Sequence, residues 1–398
     1  MKKQTFFLFF EYSKIIKFKI ILLMSLYIKW NFIIIGSNSF INKNTIESIQ
    51  DNNFKKLKDR YKLTPYFKIL QEINIKSRLY NQKIEIYKRK KKIIHITVSI
   101  NNNKNYKYII LVSMYSLLLN CYKDKTFVIY HILCTPDFNE SSITIFKSLL
   151  NKFSQNVEMI FYNMGNLFKN RKNIRYSEAA YYRILTPIII DSDRVIHLDG
   201  DTLVFSDLSE MYNLDFQNNY VLGIYDFISK GVDYLGLKSN IYINSGAILL
   251  NLKKMREDNK VLELLKLTDS NVTLKNVDQT AFNYLLYPKI GRLPSKYVVF
   301  NFEDKSDIIF YINCLRTKIS LEEIEKALKN PTIIHHVICS PKPWSINSTY
   351  LKGASACTQR HNCSCKKYFD IWHSFANQTE YYEEISEFTG IKKLKNRF

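Results

Sequence analysis

The chain has 398 residues, 46% of them hydrophobic, which is enough apolar side-chain surface for a large core and excludes a mostly disordered protein. Its 58 lysines and arginines outnumber 36 acidic residues, and the formal charge of +22 favours an anionic partner: a membrane, nucleic acid or a phosphate-bearing substrate. The same lysine excess accompanies abundant Asn, Ile and Tyr, as expected of AT-rich coding DNA, so charge alone does not select among these partners.

The N-terminal segment, residues 1–36, is basic, aromatic and apolar. Its apolar stretch from Ile20 to Ile35 is 16 residues long and follows five lysines. About 20 apolar residues usually span a bilayer. We expect a membrane anchor whose N-terminus stays in the cytosol. The alternatives are a cleaved signal peptide, an amphipathic surface helix and a core helix.

Residues 37–92 are polar and basic, and their pattern predicts a helical stem. The segment ends in the basic run Lys88–Lys92, for which we expect either a solvated face or a contact with a membrane surface. From residue 93 the pattern changes to apolar strands that alternate with helices. Strands are predicted at 93–100, 127–133, 157–162 and 194–198, and helices at 106–119, 141–153 and 177–185. This alternation predicts an α/β fold with a mostly parallel sheet flanked by helices.

Two carboxylates, Asp199 and Asp201, follow the predicted strand 194–198 with only Gly200 between them. On an extended backbone, side chains two residues apart point to the same side, so both carboxylates can face one ligand. The carboxyl ends of strands are also where such sheets bind ligands, and the polar loop 101–105 ends a strand at the same edge. The pair is therefore a candidate site for a divalent cation with positions left for phosphate oxygens. Alone it would also fit a surface turn.

Three further short motifs follow in order. They are Asn244-Ser245-Gly246, Asp278-Gln279 at the start of a predicted helix, and the strand-ending pair His335-His336 followed by Lys342-Pro343-Trp344. Asp278 alone would also fit a helix N-terminal cap. Proline on both sides of Lys342 predicts an extended loop that can present this lysine to an anion.

The last segment, residues 351–398, combines a cysteine-containing loop with a predicted helical tail. Cys357, His361, Cys363 and Cys365 would be zinc ligands by type, but their spacing fits local disulfides or free thiols equally well.

These motifs in this order resemble glycosyltransferase family 8, the retaining group that contains bacterial lipopolysaccharide galactosyl- and glucosyltransferases, galactinol synthases and glycogenin. The resemblance covers about residues 93–350, and the tail segment Tyr368–Ile385 is similar to that of the lipopolysaccharide-type members. It implies a GT-A (Rossmann-like) fold, a UDP-sugar donor and a Mn²⁺ ion, with Mg²⁺ as the alternative.

The resemblance also assigns roles to individual residues. It implies that Asp199, Asp201 and His336 bind the metal, with His336 preferred to His335 for its six-residue spacing to Lys342. Two carboxylates and one imidazole suit Mn²⁺ better than Mg²⁺. The catalytic residues would be Gln279, Asp278 and Arg183, with Gln279 as an oxocarbenium stabiliser because an amide is a weak nucleophile. The donor-binding residues would be Asn103, Tyr106, Arg183, Asn244, Asp278, Lys342 and Asp226.

Two positions depart from the family pattern. Cys339 stands where the family usually has the glycine that approaches the donor phosphates. Asn103 stands where many members have an acid that reads uracil. These departures make a degenerate, non-catalytic, membrane-associated binding protein the alternative to an active enzyme.

The activity implied by the resemblance is retaining transfer of glucose or galactose to a glycan, glycolipid or glycoprotein acceptor. A phosphatase of the haloacid-dehalogenase type also uses two such aspartates, but it expects Thr or Val where this chain has Leu203. A nucleic-acid-binding protein would fit the charge, yet the sequence has no motif for it. The implied location is a single-pass type II protein of the Golgi or ER if the source is eukaryotic, and the cytoplasmic membrane face if it is bacterial.

Overall fold

The computed structural model describes residues 52–62, 64–81, 83–89, 91–123, 126–169, 177–226, 241–270, 274, 276–302, 305–315, 319–335, 342–344 and 366–390. The expected anchor at 1–36 and the cysteine-containing loop lie outside these ranges. Within them, no helix is both long and apolar enough to cross a membrane.

Eleven strands are present in the described ranges. They are β1 (Asn74–Leu79), β2 (Lys92–Ile100), β3 (Thr126–Cys134), β4 (Val157–Asn163), β5 (Arg194–Leu198), β6 (Thr202–Val204), β7 (Val221–Tyr225), β8 (Ile243–Asn251), β9 (Ile290–Arg292), β10 (Val298–Phe300) and β11 (Ile333–His335). Eight of them form the main sheet in the order β1-β4-β3-β2-β5-β8-β7-β9, and the other three form a small sheet in the order β10-β11-β6.

Helices flank the two sheets. They are α1 (Asn52–Arg60), α2 (Tyr66–Glu72), α3 (Ile84–Arg89), α4 (Tyr106–Lys123), α5 (Glu140–Ile145), α6 (Lys147–Phe153), a 3₁₀ helix (Glu178–Leu185), α7 (Thr186–Ile189), α8 (Ser209–Tyr212), α9 (Leu252–Glu257), α10 (Lys260–Asp269), α11 (Val277–Leu285), α12 (Lys305–Cys314), α13 (Leu321–Lys329), α14 (Lys366–Ala376) and α15 (Tyr382–Thr389). The expected helical tail is thus present as α14 and α15.

The centre of the main sheet is parallel, as the alternation of strands and helices predicts. Strands β4, β3, β2 and β5 run parallel, while β8 lies antiparallel to β5 and β7. All nine residues of β3 are buried, since a central parallel strand is covered on both faces. The α/β fold of the sequence prediction is confirmed, and its parallel strands end together at the edge that follows Leu198 and Ile100.

The segment predicted as a helical stem contributes a strand to this sheet. Residues 74–79 form β1, which pairs antiparallel with β4 at the sheet edge. In the sequence Asn-Ile-Lys-Ser-Arg-Leu the large polar side chains recur with the two-residue period of a strand, and Ser77 and Leu79, between them, face the interior. This segment was predicted to be part of a helical stem because helical sequence flanks it on both sides.

A polar cluster lies within the face of the sheet that α1 covers. His95 Nδ1 is 2.9 Å from His131 Nε2, and His131 Nδ1 is 3.1 Å from the hydroxyl of Tyr162. The buried carboxylate of Glu158 pairs with Lys88 at 2.7 Å, beside a cavity of about 120 Å³. Burial, together with the charge of Lys88, lowers the pKa of His95 to about 4, and burial holds the pKa of His131 well below its usual range.

This cluster predicts that the protein loses stability in acid. Both imidazoles are neutral in the folded state, so the unfolded chain binds more protons below a pH of about 6.5. Stability is therefore complete above that pH and is lost as the pH falls toward 4. With a folded pKa near 4, His95 alone accounts for about 2 kcal/mol at pH 5.

The measurement is urea unfolding at pH 7 and pH 5 for the wild type and a His95→Gln/His131→Gln variant. The remaining histidines are the same in both proteins and serve as the internal control. The variant should lose at least about 2 kcal/mol less on acidification than the wild type. An equal loss in the two proteins would contradict the role of this cluster.

Candidate functional site

The turn after β5 carries the two aspartates. Asp199, Gly200 and Asp201 connect β5 to β6, and the turn is closed by Thr202, whose Oγ1 donates to the carbonyl of Asp199 at 2.8 Å. A Cβ on Gly200 would lie 3.1 Å from the hydroxyl oxygen of Tyr106 in α4. Glycine therefore lets the turn pack directly on α4, and the expected donor-binding residue Tyr106 lies beneath the aspartates.

The small sheet brings a histidine to this turn. Strand β11 pairs antiparallel with β6, which places His335 opposite Thr202. His335 Nε2 lies 2.9 Å from Oδ1 of Asp201. Ligand atoms of Asp199, Asp201 and His335 all lie within 4.8 Å of one another, close enough for the three side chains to share one metal ion.

The histidine at this site is not the one preferred from the sequence. His336 lies outside the described residues, as does Cys339, so their predicted roles stay untested. The register of β11 against β6 places His335 beside the aspartates. We therefore assign the candidate ligand to His335.

A lysine completes this side of the site. The Nζ of Lys342 donates to Oδ2 of Asp201 at 2.9 Å. Burial alone would raise the pKa of Asp201, but Lys342 and His335 outweigh burial and hold this pKa well below its usual range. The C-terminal tail holds the lysine segment in place, because His373 Nε2 donates to the carbonyl of Pro343 at 3.0 Å.

Strand β8 passes directly beside the candidate ligands. The backbone N–H of Asp199 donates to the carbonyl of Gly246 at 2.7 Å. A Cβ on Gly246 would lie 2.0 Å from Cε1 of His335 and 2.8 Å from Oδ2 of Asp199. The ring of His335 and the carboxylate of Asp199 therefore pack directly against Gly246, a close approach that only glycine allows, and both groups suit a divalent cation.

Arg183, in the 3₁₀ helix, is buried between two carboxylates. Its Nη2 donates to Oδ1 of Asp199 at 2.8 Å, and its Nε lies 3.1 Å from Oδ2 of Asp278. Its Nη1 also donates to the carbonyl of Ser245 at 2.5 Å. Although burial opposes ionisation, Arg183 and His197 hold the pKa of Asp199 below its usual value. For Asp278 burial outweighs Arg183 and raises the pKa to about 6.

The residues expected to contact the sugar form one hydrogen-bonded group. Oδ2 of Asp226 accepts from Asn244 Nδ2 at 2.8 Å and from Gln279 Nε2 at 3.1 Å. The backbone N–H of Ser245 donates to Oε1 of Gln279 at 3.0 Å. Just before Asp278, Val277 has a φ of +39°, an outlier for a β-branched residue and therefore a strained backbone at the start of α11.

Asn103 lies in a neighbouring cavity of about 550 Å³ at the carboxyl ends of β2 and β3. The rings of Phe168 and Tyr181 in its lining stack with centroids 5.4 Å apart. Neither aromatic residue was predicted from the sequence to belong to the site, although Tyr181 stands two residues before Arg183. His197, whose Nε2 lies 3.2 Å from Oδ1 of Asp199, was not predicted either.

Comparison with known proteins identifies the family of the chain. A model of the family described as Glycosyl transferase family 8 matches residues 95–348. The chain is 26% identical to a protein of Haemophilus influenzae that is named as a glycosyltransferase, over 76% of this chain and 87% of that protein. It is 24% identical to the lipopolysaccharide 1,2-glucosyltransferase of Escherichia coli, over 66% of this chain and 77% of that enzyme. It covers only 41% of the glycosyltransferase GlyF of Streptococcus pneumoniae.

Solved structures share the fold. The bifunctional glycosyltransferase WbbM superposes with a TM-score of 0.55 at 20% identity, over 74% of this chain and 51% of that chain. The galactosyltransferase LgtC, solved with donor and acceptor sugar analogues, superposes with a TM-score of 0.51 at 19% identity, over 73% of this chain and 100% of that chain. The sheet is that of the GT-A fold.

The family match spans more than half of the chain, and the residues that carry the sequence resemblance converge at one edge of its sheet. The chain belongs to glycosyltransferase family 8 and is a glycosyltransferase with a GT-A fold.

Proposed function

We propose that this glycosyltransferase is a retaining hexosyltransferase that transfers glucose or galactose from a UDP-sugar. The observation that carries the proposal is the convergence of Asp199, Asp201 and His335, whose ligand atoms lie within 4.8 Å of one another beside the hydrogen-bonded group around Asp226. The choice of a hexose is supported by the relatives named as lipopolysaccharide 1,2-glucosyltransferase and 1,3-galactosyltransferase.

Asp199, Asp201 and His335 would hold a divalent cation. Two carboxylates and one imidazole favour Mn²⁺, with Mg²⁺ as the alternative. The bound metal would supply Lewis-acid stabilisation of the negative charge on the departing nucleoside diphosphate. Lys342, already beside Asp201, would add a charged hydrogen bond to a phosphate oxygen.

The cavity that contains Asn103 would bind the nucleobase of the donor. Its volume of about 550 Å³ is within the usual range for a small-molecule site. Asn103 and its neighbouring asparagines offer amide donors and acceptors to a pyrimidine edge. Tyr106, beneath the aspartate turn, lies at the end of the same loop.

The transferred sugar would lie against Asp226, Asn244, Asp278 and Gln279. These side chains supply carboxylates and amides suited to sugar hydroxyls. Gln279 would stabilise the positive charge that develops at the anomeric carbon, since an amide is a weak nucleophile but a good oriented dipole. Arg183, in contact with Asp278, would keep that carboxylate in place.

The acceptor would be a glycan, glycolipid or glycoprotein. Attachment to a membrane through residues 1–36 stays a prediction, and these residues lie outside the described ranges. The same holds for the location, which would be a type II Golgi or ER protein in a eukaryote and the cytoplasmic membrane face in a bacterium.

The close packing of His335 and Asp199 on Gly246 makes a direct prediction about metal binding. In Gly246→Ala the added methyl group would clash with His335 and Asp199 and displace both candidate ligands. We expect Mn²⁺ affinity, measured by calorimetry, to fall by a factor on the order of 100, since ligand geometry is disturbed directly. The matched control is Gly223→Ala, another strand glycine, whose added Cβ would meet Ile243 at 3.0 Å and no candidate ligand. Wild-type Mn²⁺ affinity in Gly246→Ala would place the cation elsewhere.

Donor binding can be tested on the full chain by thermal unfolding. We expect Mn²⁺ with UDP, UDP-glucose or UDP-galactose to raise the melting temperature by several degrees, because a ligand at 100 times its Kd adds about 2.7 kcal/mol. Neither the nucleotide alone in EDTA nor GDP-mannose with Mn²⁺ should have this effect. No shift with any nucleotide would contradict the enzyme proposal and favour a non-catalytic binding protein.

A further inference from the structure

A buried histidine in β5 contacts Asp199, one of the candidate metal ligands. His197 is completely buried, and its strand neighbours in the sheet are Thr97 and Ile248. Its Nε2 lies 3.2 Å from Oδ1 of Asp199. Because a carboxylate oxygen accepts, this ring nitrogen is the donor.

The two oxygens of Asp199 have different surroundings. Oδ1 accepts from Arg183 Nη2 at 2.8 Å and from His197 Nε2. Oδ2 lies on the side of His335, because a Cβ added to Gly246 would lie 2.8 Å from Oδ2 and 2.5 Å from Nε2 of His335. One oxygen is therefore held by two protein donors, and the other lies toward the second candidate ligand, His335.

We propose that His197 is a positioning residue for the metal site, which holds Oδ1 of Asp199 so that Oδ2 stays turned toward the cation. The inference rests on the metal site of the proposed function. The terminal torsion of an aspartate is broad, so one donor leaves the carboxylate free to rotate. Arg183 alone would not fix the orientation of the Asp199 carboxylate, since it also contacts Asp278 and the carbonyl of Ser245.

The chemistry of the strand supports a polar role for this residue. The other buried residues of β5 are Val195, Ile196 and Leu198, all apolar. Nδ1 of His197 is buried and has no hydrogen-bond partner within the described residues. An unsatisfied buried nitrogen is costly, so a packing role alone would be filled better by an apolar side chain. The hydrogen bond to a ligand of the metal explains why a histidine is tolerated here.

The test compares three variants of His197. They differ in whether the side chain has a hydrogen-bond donor and in how far that donor lies from the backbone. His197→Phe keeps the ring volume and removes the donor. His197→Gln places an amide nitrogen near the position of Nε2, and His197→Asn carries the same amide on a shorter side chain. Mn²⁺ affinity is measured by calorimetry, and folding is checked by thermal unfolding in EDTA.

We expect the Phe and Asn variants to bind Mn²⁺ about 10- to 100-fold more weakly than wild type, and the Gln variant to stay within about threefold, as for other residues that orient metal ligands. The Phe variant should melt in EDTA at or above the wild-type temperature, because it removes the unsatisfied Nδ1. Wild-type affinity in the Phe variant would overturn the inference. Should that variant fail to fold, equal affinity of the Gln and Asn variants would overturn it.

The wild-type protein separates this inference from the proposed function. If wild type binds no Mn²⁺, the metal site itself is refuted. If wild type binds Mn²⁺ and the Phe variant binds it equally well, only the role of His197 is refuted.

Discussion

The site depends on one buried cation, the guanidinium of Arg183. A charge at this depth is costly unless it is paired, and Arg183 has Asp199 and Asp278 as its partners. Through them and the carbonyl of Ser245 it links the turn after β5, the start of β8 and the first turn of α11. These segments are far apart in the sequence, and the arginine fixes their relative positions before any ligand arrives.

The second requirement is that a separate small sheet meets the main one at the aspartate turn. Strand β6 leaves the turn directly, and its pairing with β11 delivers His335 to Asp201. The C-terminal tail then fixes the far side, where the ring of Trp372 packs against Trp344 at 5.6 Å next to Lys342. The site is therefore assembled from the main sheet, the small sheet and the tail.

The main sheet and the position of the site could be predicted from the sequence because both follow from local patterns. Apolar strands that alternate with helices imply a parallel sheet, and such sheets bind ligands at their carboxyl ends. Asp199 and Asp201 stand at that end in the sequence itself. The order of the later motifs then identified Asn244 and Gln279, which both bond to Asp226, and Asp278, which pairs with Arg183.

What could not be predicted depends on contacts across the fold. The position of His335 beside the aspartates is set by strand register, which spacing along a loop does not contain. His197 reads as an ordinary core residue until its distance to Asp199 is known. Strand β1 was missed since it pairs with β4, more than 70 residues away, and has helical sequence on both sides.

The most direct test of this account is a crystal structure with Mn²⁺ and UDP, with the ion located by its anomalous scattering. The account predicts one strong anomalous peak bonded to Oδ2 of Asp199, to Asp201 and to His335, with the diphosphate next to Lys342. A peak bonded to His336 instead, or no peak at the aspartate turn, would contradict it.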